Sequence, residues 1–265
     1  RIPISHLHGG EATEGCIDEP IRHSITKMSQ LHFVCADDYK RRVIQLGEQP
    51  DKVFNVGGLG IDNILRLKLM SREELEVALD FKMASINLLI TFHPVTLEKN
   101  TSASQMEELL ASLGQLEKVG LIFTMPNADT EGRVLFSQIS NFCRVHPNAK
   151  AYTSLGQLRY LSCIKHVDGV VGNSSSGLAE APTFKKGTIN IGDRQRGRIK
   201  AESVINCGPY RKAIDKAIEE LFSRKFRLRL KKVENPYGYG GASDVIVKTL
   251  EKISFDQLLK KRFYD

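Results

Sequence analysis

One feature constrains this chain of 265 residues more than any other: apolar runs alternate with amphipathic segments along it. Between residues 87 and 191, short apolar runs recur, and segments with helical spacing separate them. Strand–helix alternation of this kind favours a parallel sheet with right-handed crossovers. The sequence therefore predicts an α/β protein.

Read along the whole chain, the same pattern predicts two groups of elements. The first group has strands at 2–7, 31–35 and 53–56 and helices at 19–29 and 37–46. Glycines at 57–60 and an amphipathic stretch at 62–79, which we interpret as a hinge, separate it from the second. That group has strands at 87–92, 120–124, 149–152, 169–171, 188–191 and 203–205, helices at 102–118, 133–145, 155–165, 176–184 and 211–222, and closing helices at 242–252 and 255–261.

These groups predict the domain organisation. Three strands are fewer than a doubly wound domain normally carries, so we expect residues 1–70 to be the C-terminal part of a first Rossmann-like domain. Residues 71–241 have enough strands for a complete second, nucleotide-binding domain. We expect residues 242–265 to form C-terminal helices.

Composition excludes several classes of protein. The net charge is +7 and the pI about 9.1, so the protein attracts anions, but the chain has no Trp and only 7% aromatic residues, which argues against nucleic acid as the partner. We interpret the basic runs at 39–42, 224–232 and 260–262 as solvated helix faces. No apolar run has the length of a membrane helix, and no signal peptide is apparent. Five cysteines without a CxxC pair indicate a reducing, cytoplasmic location and no zinc site.

A polar loop after the first predicted strand is the first candidate site. Residues 6–18 contain His6, His8, Glu11, Glu14 and Asp18 among three glycines. Carboxylates held near one another can have different pKa values, which gives one acid and one base. The alternative is a polar turn in which Asp18 caps the next helix. His6 and His8 would lie on one side of a strand, but without a clear third ligand we predict no metal.

Three further loops follow strands of the second group. His93 stands at the end of a buried strand before a proline, where it suits substrate contact or a structural role. Residues 172–182 form a hydroxyl-rich turn that opens a helix; this turn can bind a diphosphate, and Glu180 can accept hydrogen bonds from ribose hydroxyls. A well-capped helix is the alternative there. Residues 192–198 carry three arginines, which can bind a phosphate or a carboxylate group. The alternative is an exposed basic loop.

Together these loops resemble a known family. The chain is similar to the hydrolysing UDP-N-acetylglucosamine 2-epimerases of sialic acid biosynthesis, both the bacterial capsule-type enzymes and the epimerase half of the animal bifunctional enzyme. The matching stretches run from the first residues almost to the end of the chain: HLHGGEATEGCIDEPIRHSITKMS, YKRRVIQLGE, FNVGGLGIDNIL, TFHPVT, PNAD, GNSSSGLAEAP, INIGDRQRGR and NPYGYGGA.

The resemblance implies a two-domain fold of glycosyltransferase-B type, with the last helix crossing back to the first domain. It implies anti elimination of UDP from UDP-GlcNAc to give 2-acetamidoglucal, followed by hydration to N-acetylmannosamine, without a cofactor or metal. The partners are then UDP-GlcNAc and UDP, and relatives suggest a homo-oligomer, a dimer or tetramer. Close relatives acting on other nucleotide sugars of the legionaminic acid type, non-hydrolysing epimerases and retaining glycosyltransferases remain alternatives.

Roles carry over by position. Asp18 matches an acid/base carboxylate of the family. Several relatives have Glu where this chain has His8, whereas other bacterial members read HxHGGE as this chain does, so Glu11 is our choice for the second carboxylate. We include His8 and His93 among the catalytic candidates. The remaining matches are positions that bind UDP in the family: His93, Ser174, Ser175, Glu180, Arg194 and Arg198.

The front of the chain departs from the family pattern, in which about a hundred residues, including a substrate-binding arginine and a catalytic aspartate, precede the HxHGGE motif. We therefore expect a truncated chain that binds UDP through the second domain but has little epimerase activity alone. Non-enzymatic alternatives are a silent sugar-nucleotide sensor and a basic RNA-binding module; RNA binding would be strongly salt-dependent.

Overall fold

The computed structural model describes residues 2–14, 16–95, 101–126, 131–255 and 258–265. Parts of the predicted features therefore lie outside the described residues, namely Arg1, Gly15, Thr96 of the TFHPVT motif, residues 127–129 of the PNAD motif and positions 256–257 of the last predicted helix.

Strands and helices alternate along the described chain, and all strand pairs are parallel, which confirms the predicted α/β class. The strands are β1 (Ser5–Leu7), β2 (Leu31–Val34), β3 (Val53–Asn55), β4 (Ile86–Thr91), β5 (Val119–Thr124), β6 (Ala149–Tyr152), β7 (Gly169–Gly172), β8 (Gly187–Ile191) and β9 (Val204–Cys207). The helices are α1 (Asp18–Met28), α2 (Asp37–Gln45), α3 (Leu59–Arg66), α4 (Arg72–Leu79), α5 (Ser102–Leu113), α6 (Gly132–Val145), α7 (Gly156–His166), α8 (Ser176–Ala179), α9 (Arg211–Phe222), α10 (Arg224–Leu230) and α11 (Ala242–Lys252).

The chain divides into two compact units. Unit 1 comprises residues 1–66, 196–198 and 235–265, and unit 2 comprises residues 67–195 and 199–234. Unit 1 has a three-stranded sheet in the order β1-β2-β3. Its core contains Leu31 and Phe33 of β2, and Ile246 of α11 packs against them.

An aspartate fixes the start of α11 within unit 1. Asp62 is 4% exposed, and its carboxylate accepts hydrogen bonds from the backbone N–H groups of Gly241, Ala242 and Ser243 at 2.7 to 3.1 Å. An anion at a helix N-terminus satisfies free N–H groups and interacts favourably with the helix dipole. These bonds outweigh the cost of burial and lower the pKa of Asp62.

Unit 2 has a six-stranded sheet in the order β6-β5-β4-β7-β8-β9. Numbered within the unit, this is the 3-2-1-4-5-6 order of a doubly wound nucleotide-binding domain. Strands β4, β5, β7 and β8 are almost entirely buried, since helices cover the sheet. Alternate apolar side chains of these strands, among them Leu88, Leu121 and Val171, belong to one core cluster. The strand order reverses between β4 and β7, which makes the carboxyl ends of these two strands the switch point of the sheet.

Three predicted elements differ from the structure. The amphipathic stretch 62–79 is not one element: Ser71 caps a separate helix, α4, through a reciprocal bond with Glu74. The predicted helix 176–184 ends at Ala179 and continues as a 3-10 turn that contains Pro182, because proline has no N–H group for the helical ladder. In the predicted helix 255–261, the described residues 258–260 form a turn. Helix α10 lies within the basic run that we interpreted as a solvated helix face.

Candidate functional site

A cavity of about 390 Å³ lies at the carboxyl ends of the strands in unit 2, close to the point where the strand order reverses. Ligands of open α/β sheets bind at such points, because helix N-termini and free loop N–H groups converge there. Polar side chains that line it include those of His93, Tyr160, Ser174, Ser176 and Glu180. Sequence analysis predicted three of these five.

The loops after β4 and β7 are held together by Asn173, which sequence analysis did not single out. Its side chain is 1% exposed, its Oδ1 accepts from the His93 backbone N–H at 2.7 Å, and its Nδ2 donates to the His93 carbonyl at 2.8 Å. This reciprocal pair fixes His93 at the edge of the cavity. Asn is the one residue of the 172–177 turn with both an amide donor and an amide acceptor, and that property was the available signal.

Gly172 permits this close approach. Its φ is 135°, and a Cβ atom there would lie 1.9 Å from the carbonyl oxygen of Thr91. No side chain fits such a position, so the tight contact between the ends of β4 and β7 depends on glycine.

The hydroxyl groups of the turn divide into two sets. Ser174 lines the cavity, where its Oγ donates to the Oγ of Ser176 at 3.4 Å, and Ser176 in turn contacts the hydroxyl of Tyr160. Ser175 instead occupies the N-cap position of α8, where its carbonyl accepts two backbone N–H groups. Of the two predicted serines, Ser174 is therefore the one that lines the cavity.

Glu180 lines the same cavity at the C-terminal end of α8. Its side chain is half-buried, and burial raises its pKa above the ordinary value for Glu. A desolvated carboxylate that faces a cavity is suited to accept hydrogen bonds from a ligand's hydroxyl groups.

Arg194 reaches the same loop from β8. Its Nη1 donates to the carbonyl of Asn173 at 3.1 Å, and the neighbouring Gln195 donates to that carbonyl at 2.8 Å. Two donors on one carbonyl fix the backbone of the turn that precedes Ser174. In this structure Arg194 therefore supports the shape of the cavity.

In unit 1 the carboxylate of Glu11 is the centre of a buried cluster. Glu11 is 5% exposed, and its Oε1 lies 3.2 Å from His8 Nδ1 and 3.4 Å from the donating Sγ of Cys35. Its Oε2 lies 2.9 Å from Nη2 of Arg198. Burial alone would raise the pKa of Glu11, but the hydrogen bond from His8 and the charge of Arg198 outweigh it and lower the pKa to about 2. Glu11 is therefore ionised at neutral pH.

His8 stands directly after β1 in a left-handed backbone conformation with φ of 62°. Such a conformation is costly for a residue with a Cβ atom and is often found at functional sites. The side chain is 41% exposed, although Nδ1 faces the buried Glu11. His6 is separate: it is buried, and its Nδ1 lies 3.1 Å from Thr26 Oγ1. The two histidines do not share a ligand site.

The donor atoms of His8, Glu11 and Cys35 all lie within 4.8 Å of one another. Among the described residues, these three side chains are the group that lies close enough together to hold a metal ion. Nitrogen, oxygen and sulfur donors at such spacing suit zinc. The Arg198 guanidinium pairs with the other oxygen of the same carboxylate and opposes a second positive charge there. The donor set therefore fits a metal less well than its spacing suggests.

Asp18 and Glu19 begin helix α1, and the structure places them differently. Asp18 is exposed, whereas Glu19 accepts a hydrogen bond from the backbone N–H of Thr13 and lies 3.2 Å from Nε2 of His23. The bond from Thr13 lowers the pKa of Glu19 despite partial burial. Sequence analysis missed Glu19. Asp18 and Glu19 are both acidic residues at the start of a helix, so the sequence does not distinguish them. The structure shows that the loop residue Thr13 binds Glu19.

Arg22 on α1 contacts both the loop after β1 and the carboxylate of Glu19. Its Nη1 donates to the carbonyl of Glu11 at 3.2 Å and to Oγ1 of Thr13 at 3.0 Å, and it forms an ion pair with Glu19 at 3.8 Å. These bonds attach residues 11 and 13 of the loop after β1 to α1.

No described helix is long and apolar enough to span a membrane.

Comparisons with known proteins identify the family of the chain. The family model described as UDP-N-acetylglucosamine 2-epimerase matches residues 1–251. A GDP/UDP-N,N'-diacetylbacillosamine 2-epimerase (hydrolyzing) from Campylobacter jejuni is 42% identical over all of this chain and 69% of its own length. Polysialic acid biosynthesis protein P7 from Escherichia coli is 41% identical over 89% of this chain and 60% of its own length.

Among solved structures, the UDP-GlcNAc 2-epimerase from Neisseria meningitidis bound to UDP-GlcNAc aligns with a TM-score of 0.80 at 20% identity. The alignment covers 95% of this chain and 70% of that protein. At this identity the likeness shows a shared fold. The chain thus spans between 60 and 70% of the length of these three proteins.

Proposed function

The chain belongs to the UDP-N-acetylglucosamine 2-epimerase family, and from this premise we propose that it acts as a hydrolysing 2-epimerase on a UDP-linked 2-acetamido sugar. UDP-GlcNAc is the first candidate substrate, with free N-acetylmannosamine and UDP as products. A 2,4-diacetamido sugar is the second, because the relative that is 42% identical is named for N,N'-diacetylbacillosamine.

The observation that carries the proposal is the cavity at the switch point of unit 2. Hydroxyl donors of Ser174 and Ser176 line it together with the half-buried carboxylate of Glu180. Neutral donors suit the diphosphate of a nucleotide sugar, and a carboxylate suits its ribose hydroxyls. We assign UDP binding to this cavity, with His93 at its edge and with Arg194 as the residue that shapes it.

The reaction needs proton transfer as well as nucleotide binding. A base removes the proton from C2, the C–H electron pair forms a C1–C2 double bond, and the C1–O bond breaks as UDP leaves. Water then adds its hydroxyl to C1, and a proton returns to C2 on the opposite face. We assign this acid–base chemistry to the cluster of unit 1, with His8, Glu11, Asp18 and the newly found Glu19 as its candidates.

Isotope labelling of the complete protein tests the reaction. In D2O the elimination and hydration sequence places deuterium at C2 of the free sugar, and in H2(18)O it places the label at C1. Direct hydrolysis without epimerisation would leave C2 unlabelled, and a non-hydrolysing epimerase would keep the sugar attached to UDP. Running UDP-GlcNAc and its 4-acetamido-4,6-dideoxy analogue in parallel, by kcat/KM, identifies the preferred sugar.

A further inference from the structure

We propose that His8 transfers the proton through Nε2, and that Glu11 is a positioning residue for it, locked in place by Arg198 and Cys35. This inference deepens the proposed function and rests on it for the reaction concerned. It divides roles that sequence analysis left together, and it gives Arg198 and Cys35 a place in the acid–base machinery.

The contacts of Glu11 leave it little scope to react. Both carboxylate oxygens already have partners, namely His8 and Cys35 on Oε1 and Arg198 on Oε2. The residue is 5% exposed, so a sugar carbon cannot approach it without displacing one of them. A carboxylate that is ionised and fully hydrogen-bonded is a poor proton donor and a weak base. Its chemistry suits orientation of a neighbour.

His8 has the opposite character. Its Nδ1 faces Glu11, which fixes the proton on Nδ1 and leaves the Nε2 lone pair available as a base. The side chain is 41% exposed, so a substrate can reach the ring. The left-handed backbone at φ of 62° is costly for a residue with a Cβ atom, and in this conformation Nδ1 of the ring lies 3.2 Å from Oε1 of Glu11.

Arg198 reaches Glu11 because two loops of unit 1 come close together. Gly197 has φ of 86°, and a Cβ atom there would lie 2.8 Å from the Cβ of Ala12, while Glu14 N donates to the carbonyl of Arg196 at 3.2 Å. The Arg198 side chain is only 15% exposed and pairs with the buried carboxylate. In this structure its guanidinium is bound to Glu11, and the role in UDP binding that the sequence indicates stays a prediction.

The same two loops provide a matched control. Glu14 and Arg196 form an exposed ion pair at 3.0 Å, with side chains that are 54% and 69% exposed. Glu14→Gln and Arg196→Lys therefore make the same chemical changes as Glu11→Gln and Arg198→Lys, three and two residues away in the chain, in an ion pair of little energetic weight.

A double-mutant cycle on the complete protein tests the division of roles. We expect His8→Gln to lower kcat by about 10²- to 10⁴-fold and Glu11→Gln by about 10²-fold, with KM nearly unchanged. If Glu11 acts through His8, the double variant is no slower than His8→Gln alone. Multiplying losses would show that Glu11 transfers a proton independently and would overturn the proposal. Both control variants should keep the wild-type rate.

A second measurement does not depend on turnover. The 15N spectrum of the His8 ring, assigned by comparison with His8→Gln, should show the tautomer with the proton on Nδ1 at neutral pH. Arg198→Lys and Cys35→Ala, which loosen Glu11, should reduce that preference, whereas Arg196→Lys should not. A ring protonated on Nε2 in the wild type refutes the inference even if no tested sugar nucleotide is turned over, and absence of turnover alone refutes only the proposed function.

Discussion

Replacing Glu180 with Gln gives the sharpest test of the nucleotide cavity. The substitution keeps the size of the side chain and removes its charge, while Ser174 and Ser176 stay in place. A hydrogen bond to a charged group contributes about 1.5–3 kcal/mol, and each 1.36 kcal/mol is tenfold in affinity. We therefore expect the Kd for UDP, measured by calorimetry, to rise about 10- to 150-fold in Glu180→Gln.

The pH dependence of UDP binding makes this prediction specific. Burial raises the pKa of Glu180, so the carboxylate becomes neutral at a higher pH than an ordinary Glu does. The affinity advantage of the wild type over Glu180→Gln should be full at neutral pH and should disappear as the pH falls through that raised pKa. Protonation of UDP itself weakens binding to both proteins equally, so the ratio of their Kd values reports Glu180 alone.

The control is Glu219→Gln, an exposed carboxylate on α9 of the same unit. It should leave the Kd for UDP unchanged at every pH. A ratio of Kd values that stays constant as the pH is lowered would refute the assignment of Glu180 to a charged contact with UDP. An equal loss of UDP affinity in Glu219→Gln would show that the loss in Glu180→Gln comes from the change in net charge and not from a contact with UDP.

Three further predictions concern the framework of the two units. Gly172→Ala should abolish UDP binding and destabilise unit 2 by several kcal/mol, whereas Gly156→Ala, with φ of 62° and open space around its Cβ, should cost only about 1–2 kcal/mol in urea unfolding. Asp62→Asn should destabilise unit 1 by about 1–3 kcal/mol at neutral pH. Because the pKa of Asp62 is lowered in the folded state, this difference should begin to fall as the pH drops through the ordinary Asp pKa and should vanish only below the lowered pKa. Burial lowers the pKa of His32 from 6.5 to about 4, so between these two pH values the folded state binds fewer protons than the unfolded chain. The urea midpoint of unfolding should therefore fall as the pH drops from 6.5 to about 4. In His32→Gln the midpoint should depend less on pH over the same range.

Periodicity predicted the regular elements well because burial determines them. The strand Ala149–Tyr152 and the helices Arg211–Phe222 and Ala242–Lys252 have the bounds that their apolar spacing predicts. The errors lie where a single side chain overrides periodicity. Ser71 and its reciprocal bond with Glu74 start a separate helix inside an amphipathic stretch, and Pro182 ends α8 early, although apolar spacing continues through both.

The candidate site was predicted less completely, for a different reason. Composition marked the right loops, since polar residues and glycines gather after the strands, but contacts between distant segments decide which member of each loop has a role. Asn173 joins two loops 80 residues apart in the chain. No local pattern in either loop shows this pairing, which arises from the adjacency of β4 and β7 in the sheet.

The arginine loop shows the same limit most clearly. Arg194, Arg196 and Arg198 alternate along one short segment, and sequence alone left open whether they bind an anion or form an exposed basic loop. In the structure each has a different partner: a backbone carbonyl for Arg194, an exposed carboxylate for Arg196 and the buried carboxylate of Glu11 for Arg198. The desolvation cost of a buried arginine and a buried glutamate is offset only when they pair, so Arg198 and Glu11 depend on each other. Arg198→Ala should therefore impair acid–base chemistry through Glu11 and leave the UDP affinity of unit 2 intact, whereas loss of UDP binding in that variant would show that the predicted anion-binding role was right.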